Sequence, residues 1–166
     1  MKEIIVFFLS GKEYGVEISG MQSLENYREI QHASDLPDGM SGLVKIRDDI
    51  YPVYDMKQKF CLPAIEVTED TKILLLRTHA GKIAIVVDRV GKVFRAEDKD
   101  IQEFPRVART RNTDYISFIA RRGDDLIVVV NPDTLMSDEQ YDAVEKRESH
   151  AEETSDDSNT DNGGKL

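Results

Sequence analysis

The 166-residue chain has no tryptophan, five prolines and one cysteine, Cys61. A single cysteine cannot close an internal disulfide, and no second cysteine or nearby histidine stands at metal-ligand spacing. These absences exclude disulfide scaffolds and zinc ribbons and fit a reducing compartment. No stretch approaches the roughly 18 consecutive apolar residues that a membrane-spanning helix needs. We therefore expect no structural metal and no membrane insertion.

Cationic residues are also scarce, because 22 lysines and arginines face 32 aspartates and glutamates, for a formal net charge of -10. Proteins that bind nucleic acid draw much of their affinity from clustered lysine and arginine. The sequence contains no wholly basic patch of useful length. We therefore expect no nucleic-acid partner.

The first ten residues, MKEIIVFFLS, are the nearest approach to a signal peptide. Glu3 interrupts the charged end of that segment, and no small-residue cleavage site follows it. We interpret the segment as a strand of a cytoplasmic protein.

The composition changes near residue 145. From there on, seven acidic residues face three basic ones, with serine, threonine, asparagine and glycine between them. Residues 149–166 contain almost nothing to bury, so we expect a disordered acidic tail that aids solubility. The folded body should then span residues 1–148.

The body consists mostly of short apolar runs rich in isoleucine, valine, tyrosine and phenylalanine, separated by glycine, aspartate and proline. Such runs predict strands, here over 4–9, 13–18, 21–24, 42–46, 50–54, 71–78, 82–87, 90–95, 115–120 and 126–130. Gly11-Lys12 and Gly81-Lys82 stand where tight hairpins need a residue that tolerates positive φ. Ten strands without alternating long helices favour an all-β fold of antiparallel barrels.

The two halves of the chain resemble each other at an offset of about 70 residues, if such a period marks a duplicated unit. Segment 7–12, followed by Val16 and Ile18, parallels segment 75–82, followed by Ile83 and Ile85. Each half then supplies about five strands, enough for a small closed barrel, with a boundary near 67–71 and a groove between the barrels. A short C-terminal helix is predicted from the N-cap pair Asn131-Pro132 and the capping box at 137–140.

Catalysis has no support in the sequence. The pairs Asp48-Asp49 and Asp124-Asp125 suit hairpin turns better than acid-base chemistry, since adjacent strand residues point to opposite faces. His32, His79 and His150 have no carboxylate or nucleophile at motif spacing, and the common hydrolase, metalloprotease and nucleotide-binding motifs do not occur. We expect a protein that is not an enzyme.

Arg47 and three valines leave two interpretations open. Arg47 ends the apolar run 42–46, so its guanidinium either serves an interface or pairs with Asp49 or Asp55 on the surface. Val86, Val90 and Val93 either line a groove for a partner helix or fill the core.

Five sequence blocks together carry a family resemblance: FLSGKEYGVEI (8–18), GLVKIR (42–47), IYPVYDM (50–56), IVVDRV (85–90) and VVNPDTL (129–135). In this order they resemble the CheW family of chemotaxis coupling proteins over about residues 1–138. The resemblance implies two five-stranded SH3-like barrels around a shared hydrophobic core.

The resemblance also implies a non-catalytic adaptor, without cofactor or small-molecule ligand, that links the cytoplasmic tips of chemoreceptors to the regulatory domain of the histidine kinase CheA. The positions that match the family's receptor-binding surface are Ile18, Met21, Ser23, Arg47, Ala84, Val86, Val90 and Val93. The positions that match its kinase-binding surfaces are Gly42, Leu43, Ile50, Gln102 and Val107.

The chain departs from the family at several of these places. Asp48, Ala84 and Phe118 stand where the family usually has glycine, Ser23 where it has an acidic residue, and Gln102 where it often has a basic one. Two alternatives therefore stay open: a CheW-like scaffold for other signalling proteins, and a β-barrel that binds a ligand in its groove.

Overall fold

The structure is a computed structural model that describes residues 1–110 and 113–136. Its strands are β1 (Lys2–Leu9), β2 (Lys12–Glu17), β3 (Met21–Asn26), β4 (Met40–Ile46), β5 (Asp49–Tyr54), β6 (Lys72–Thr78), β7 (Gly81–Val87), β8 (Arg89–Ala96), β9 (Ile101–Gln102), β10 (Ile116–Arg122) and β11 (Asp125–Val130). The four-residue helix α1 (Met56–Lys59) follows β5. The predicted all-β class is confirmed, and the described residues include no helix long and apolar enough to cross a membrane.

The strands form two sheets. The six-stranded sheet has the order β8-β1-β2-β11-β10-β9, and the five-stranded sheet has the order β3-β6-β7-β5-β4. All ten predicted strands are present within a few residues of their expected bounds, and both predicted glycine hairpins form, with φ of 79° at Gly11 and 121° at Gly81. The two-residue strand β9 was not predicted, because so short a segment shows no alternation.

The expectation that each half of the chain closes its own five-stranded barrel is wrong. β1 and β2 pair with β8 and β11, whereas β6 and β7 join β3, β4 and β5. The pairs β2–β11 and β5–β7 are parallel and join distant segments, so local patterns along the chain cannot reveal them. In the part of the chain that the structure describes, neither sheet closes on itself.

Both faces of the central strands are buried. Along β1, Ile4 and Val6 face a cluster inside the six-stranded sheet, while Phe7 and Leu9 face a cluster shared between the sheets. Along β6, Ile73 and Leu75 face a third cluster inside the five-stranded sheet, and Leu74 and Leu76 join the shared cluster. Each sheet thus curls around its own small core, and a shared core holds the two together.

Asp88 connects the two sheets, because it is the single residue between β7 and β8. Its N–H donates to the carbonyl oxygen of Phe8 in β1 at 3.0 Å. Its Oδ2 accepts from the N–H of Ser10 at 2.7 Å, and its Oδ1 lies 2.8 Å from Nζ of Lys57. The Lys57 side chain is 7% exposed, so this ion pair is largely buried and fixes α1 against the point where the chain changes sheets.

The last described residues are hydrogen-bonded to β5 and α1. The carbonyl oxygen of Leu135 accepts from Nζ of Lys59 at 2.7 Å and from the hydroxyl of Tyr54 at 3.4 Å. Leu135 and Met136 are buried in the shared core. Burial raises the pKa of Tyr54 to about 12 and lowers the pKa of Lys59.

The described residues include only the first positions of the predicted C-terminal helix, up to residue 136. Oδ1 of Asn131 accepts from the N–H of Asp133 at 3.0 Å, and its carbonyl oxygen accepts from the N–H of Thr134 at 3.1 Å. Residues 132–134 therefore form a turn. The predicted capping box at 137–140 and the acidic tail at 149–166 lie outside the described residues.

We expect Asp88→Ala to lower the free energy of unfolding by about 3–5 kcal/mol, because it leaves the Lys57 ammonium buried without its partner. Lys57→Met should cost about 1 kcal/mol or less, since Asp88 is 29% exposed and keeps its bond to Ser10. Urea unfolding measures the free energy of unfolding of both variants.

The matched control is Lys99→Met, at a lysine whose side chain is 78% exposed, and its free energy of unfolding should stay within about 0.5 kcal/mol of wild type. Equal losses for Asp88→Ala and Lys57→Met would contradict this role of the pair.

A second prediction concerns alkaline stability. The folded state holds the Tyr54 proton more tightly than the unfolded state, whose tyrosine pKa is 10.0. The resulting stabilisation is complete below pH 10 and is lost as the pH rises through about 12. Lys59 acts in the opposite direction, because its folded pKa is lowered. We expect Tyr54→Phe to flatten the fall in unfolding free energy over this window, and an unchanged slope would contradict the assignment.

Candidate interaction surfaces

An apolar strip consists of side chains near the shared core that are exposed or only partly buried. Ile18 lies in the single turn of 3-10 helix, Ile18–Gly20, that carries the chain from β2 to β3. Met21 in β3 and Val90 in β8 are partly buried against the shared core, and Val93 lies three residues further along β8. Ile18 and Val93 are 38% and 46% exposed, which is unusual for side chains of this kind.

Two further residues extend this strip and were missed from the sequence. Ile5 stands directly opposite Val93 in the β1–β8 ladder and packs against the shared core. Leu24 stands opposite Leu74 of the shared core and is 45% exposed on the edge strand β3. Alternation along β1 and β3 could have found both once their core faces were known. We call the six residues Ile5, Ile18, Met21, Leu24, Val90 and Val93 the seam surface.

Cations flank the seam surface along β8. The guanidinium of Arg89 lies 3.6 Å from the centroid of the Phe8 ring, and Nε of Arg95 lies 3.4 Å from Oε1 of Glu3. Lys92 is exposed between them. Arg95 therefore lies on the same side of β8 as Val93, whereas Arg89 lies with Phe8 on the side of the six-stranded sheet's own core.

Three residues predicted to bind the receptor lie elsewhere. Ala84 is completely buried in the core of the five-stranded sheet, so its side chain is not on a surface. Val86 packs against the same core and not the shared one, because alternate residues of β7 face opposite sides. Ser23 is partly buried opposite Leu75, also on this side.

Val86 lines a cavity of about 390 Å³ on the five-stranded sheet. Tyr27, Ile30, Val53 and Ile65 contribute to its walls. This cavity is separate from the seam surface, so the positions inferred from the resemblance fall into two groups.

Arg47 lies in the hairpin turn between β4 and β5, as the Asp48-Asp49 pattern predicts for this segment. Its φ is 58°, in the left-handed region, and its side chain is 79% exposed. Its Nη2 lies 3.7 Å from Oε1 of Glu25, a carboxylate that the sequence did not suggest as partner. Arg47 is therefore a surface residue of the turn and not part of an apolar cluster.

The positions predicted to bind the kinase occupy edges of both sheets. Leu43 and Ile50 lie on the outward side of the β4–β5 hairpin, where Ile50 is 64% exposed. Gly42 is buried, since an added Cβ would collide with the carbonyl oxygen of Gln31 and come within 2.8 Å of Ile30. Gln31 and Leu43 exchange two backbone hydrogen bonds of 2.8 Å, which cover the β4 edge at this point.

The remaining kinase positions belong to the six-stranded sheet. Gln102 is exposed in its edge strand β9. Val107 is 99% exposed in the 3-10 turn Arg106–Ala108. The two predicted kinase regions are thus on different sheets, and neither includes a residue of the seam surface.

Chemical groups suited to catalysis or metal binding do not converge at these surfaces. The described residues contain no group of three or more histidine, cysteine, aspartate or glutamate side chains that could hold a metal ion. Nδ1 of His79 lies 3.3 Å from Oδ1 of Asp133, and both side chains are more than half exposed. Such a contact ties the β6–β7 turn to the C-terminal turn.

Comparisons with known proteins agree with this architecture. The family model for the CheW-like domain matches residues 3–140. The chemotaxis protein CheW of Klebsiella aerogenes is 27% identical over 144 residues, which cover 87% of each chain. That of Bacillus subtilis is 21% identical over 138 residues, which cover 83% of this chain and 88% of its own.

A solved structure shares the fold. The crystal structure of scaffolding protein TtCheW from Thermoanaerobacter tengcongensis superposes with a TM-score of 0.74 at 24% identity. The match covers 84% of this chain and 94% of that chain. Because the family model covers most of the sequence and the sheets match in fold, the chain belongs to the CheW-like domain family, whose members are non-catalytic scaffold proteins.

Proposed function

We propose that the chain is a chemotaxis adaptor that couples the cytoplasmic tips of chemoreceptors to the histidine kinase CheA, and that it works in the cytoplasm. The observation that carries the proposal is the seam surface, in which Ile18, Leu24 and Val93 are exposed beside a partly buried floor. Helical partners bind such surfaces by placing apolar side chains at helical spacing into a groove, while charged residues at the rim set the register.

The receptor tip is the proposed occupant of the seam surface. The seam surface includes residues of β3 and β8, which are edge strands of the two sheets, and its apolar side chains would be the anchors for a receptor helix. Arg95, on the same side of β8 as Val93, supplies a charge at its rim. Arg47 lies in the β4–β5 turn, where its side chain is 79% exposed, and would assist through its charge.

The kinase regulatory domain is the proposed partner of the β4–β5 hairpin. Ile50, with Leu43 beside it, offers an exposed apolar anchor of the kind that dominates small interfaces. The second region, Gln102 and Val107, lies on the other sheet and would contact a second kinase copy. An interface that uses two different surfaces of one protein joins molecules head to tail and closes rings when the rotation permits.

Single substitutions should separate the two partners. Val93→Glu is expected to weaken binding to a receptor-tip helical hairpin at least about tenfold and to leave binding to the kinase regulatory domain unchanged, because it puts a charge into the apolar contact. Ile50→Glu should do the reverse. Arg47→Ala should weaken the receptor interaction by a smaller factor. Titration calorimetry with the two isolated partners measures each affinity.

The matched control is Leu126→Glu. Leu126 is 58% exposed on β11, away from both proposed surfaces, and its substitution should change neither affinity. Loss of binding in this variant would show a general effect on the fold. Failure of the wild type to bind either partner would contradict the adaptor proposal, and retention of receptor binding without kinase binding would favour a scaffold for other signalling proteins.

A further inference from the structure

A polar cleft of about 450 Å³ has walls from both sheets. Strands β2, β10 and β11 of the six-stranded sheet line it, together with β6 of the five-stranded sheet and the C-terminal turn at 131–133. Its volume lies within the range of small-molecule sites, about 300–1,000 Å³. No residue of the seam surface and none of the positions proposed for the kinase lines this cleft.

Arg77 makes one wall of the polar cleft cationic. It lies directly opposite Lys82 in the β6–β7 ladder, and like charges in that position repel. Within residues 1–110 and 113–136, neither of these two cations is paired with a carboxylate. A negatively charged group bound at Arg77 would relieve this repulsion.

The guanidinium of Arg77 is held in place by a neighbour. Its Nε donates to Oε1 of Gln22 at 2.9 Å, and its two Nη groups have no partner among the described residues. A guanidinium binds a carboxylate most strongly through two parallel N–H···O bonds. The two Nη groups supply the donors for such a pair.

Further donors line the same cleft. Oδ1 of Asn131 accepts from the N–H of Asp133 at 3.0 Å, so the Asn131 amide nitrogen is left as a donor. The hydroxyls of Ser19 and Ser117 make no hydrogen bond with the described residues. These groups can bind ligand oxygens beside Arg77.

The cleft also contains two carboxylates, which differ in their pairing. Oε1 of Glu17 lies 2.9 Å from Nζ of Lys2, so the charge of Glu17 is already compensated. Oδ1 of Asp133 accepts from the N–H of His79 at 2.8 Å, and Oδ2 of Asp133 has no partner among the described residues. One carboxylate oxygen therefore remains available as an acceptor.

The charges left for a ligand are thus one cation and one carboxylate. A plain anion would meet Asp133 within a protein of formal net charge -10, and a plain cation would meet Arg77. A small molecule with both charges avoids either repulsion.

We propose that the polar cleft binds a free α-amino acid, whose carboxylate pairs with Arg77 and whose ammonium group pairs with Asp133. The Asn131 amide and the hydroxyls of Ser19 and Ser117 bind its remaining oxygen atoms. Such a ligand connects the two sheets, because Arg77 belongs to β6 and Asp133 follows β11. The proposal does not rest on the adaptor function.

The test is an NMR titration of the isotope-labelled full chain with three matched compounds. L-Serine carries both charges, ethanolamine lacks its carboxylate, and 3-hydroxypropionate lacks its ammonium group. We expect L-serine to shift the amide signals of Arg77, His79, Ser117 and Asn131 with half-saturation near about 1 mM, and to leave those of β4 unchanged. Each single-charge compound should bind at least about tenfold more weakly.

Two isosteric variants test the two charges separately. Arg77→Gln removes the guanidinium, and Asp133→Asn removes the carboxylate charge but keeps an Oδ1 acceptor for the N–H of His79. Each should weaken L-serine binding at least about tenfold. The matched control Arg121→Gln, at an exposed arginine of β10 outside the cleft, should keep the wild-type affinity. A thermal melt checks that every variant folds.

Several outcomes would overturn the proposal. One is the absence of saturable shifts with glycine, L-serine and L-glutamine up to about 50 mM, where a site of millimolar affinity is nearly full. Another is binding of ethanolamine or 3-hydroxypropionate as tight as that of L-serine. Unchanged affinity in Arg77→Gln, or shifts confined to residues outside the cleft, would do the same. Because neither receptor nor kinase is present, these results are independent of the adaptor proposal.

Discussion

The arrangement of the molecule depends on one junction, the ion pair and hydrogen bonds of Asp88. Here the chain leaves the five-stranded sheet and enters the six-stranded sheet with a single residue between the strands. The Asp88 carboxylate accepts a hydrogen bond from the N–H of Ser10 and pairs with the buried Lys57. These two contacts fix the β1–β2 turn and α1 relative to the point where the chain passes from one sheet to the other. A buried lysine without a partner is strongly destabilising, so arrangements that separate Lys57 from Asp88 are disfavoured.

The Asp88 junction determines where the seam surface and the β4–β5 hairpin lie in the molecule. Because β8 begins at Arg89, immediately after Asp88, the position of Val90 and Val93 relative to the shared core follows from it. The β4–β5 hairpin, with Ile50, belongs to the edge of the other sheet. The proposed adaptor function needs two partners bound at once, and the two proposed contact regions include edge strands of different sheets.

The sequence predicts the strands well and their pairing poorly. Alternation and turn residues locate ten strands, and Gly11 and Gly81 adopt the positive φ that their hairpins need. The parallel pairs β2–β11 and β5–β7 depend on long-range packing that no local pattern encodes. The same limit applies to the site, since alternation does not say which buried face of β7 meets the shared core, and the structure places Ala84 and Val86 at the five-stranded sheet's own core. Ala84 and Phe118, two departures from the family's usual glycines, are buried, so both side chains lie in the cores of their sheets.

The proposed coupling function requires the chain to bind a receptor and a kinase at the same time on separate surfaces. Analytical ultracentrifugation of this protein with a receptor-tip helical hairpin and the regulatory domain of the kinase measures it directly. The account predicts one sedimenting species that contains all three components, with the affinity for each partner little changed by the other. Displacement of one partner by the other would contradict it, because overlapping surfaces cannot couple two proteins.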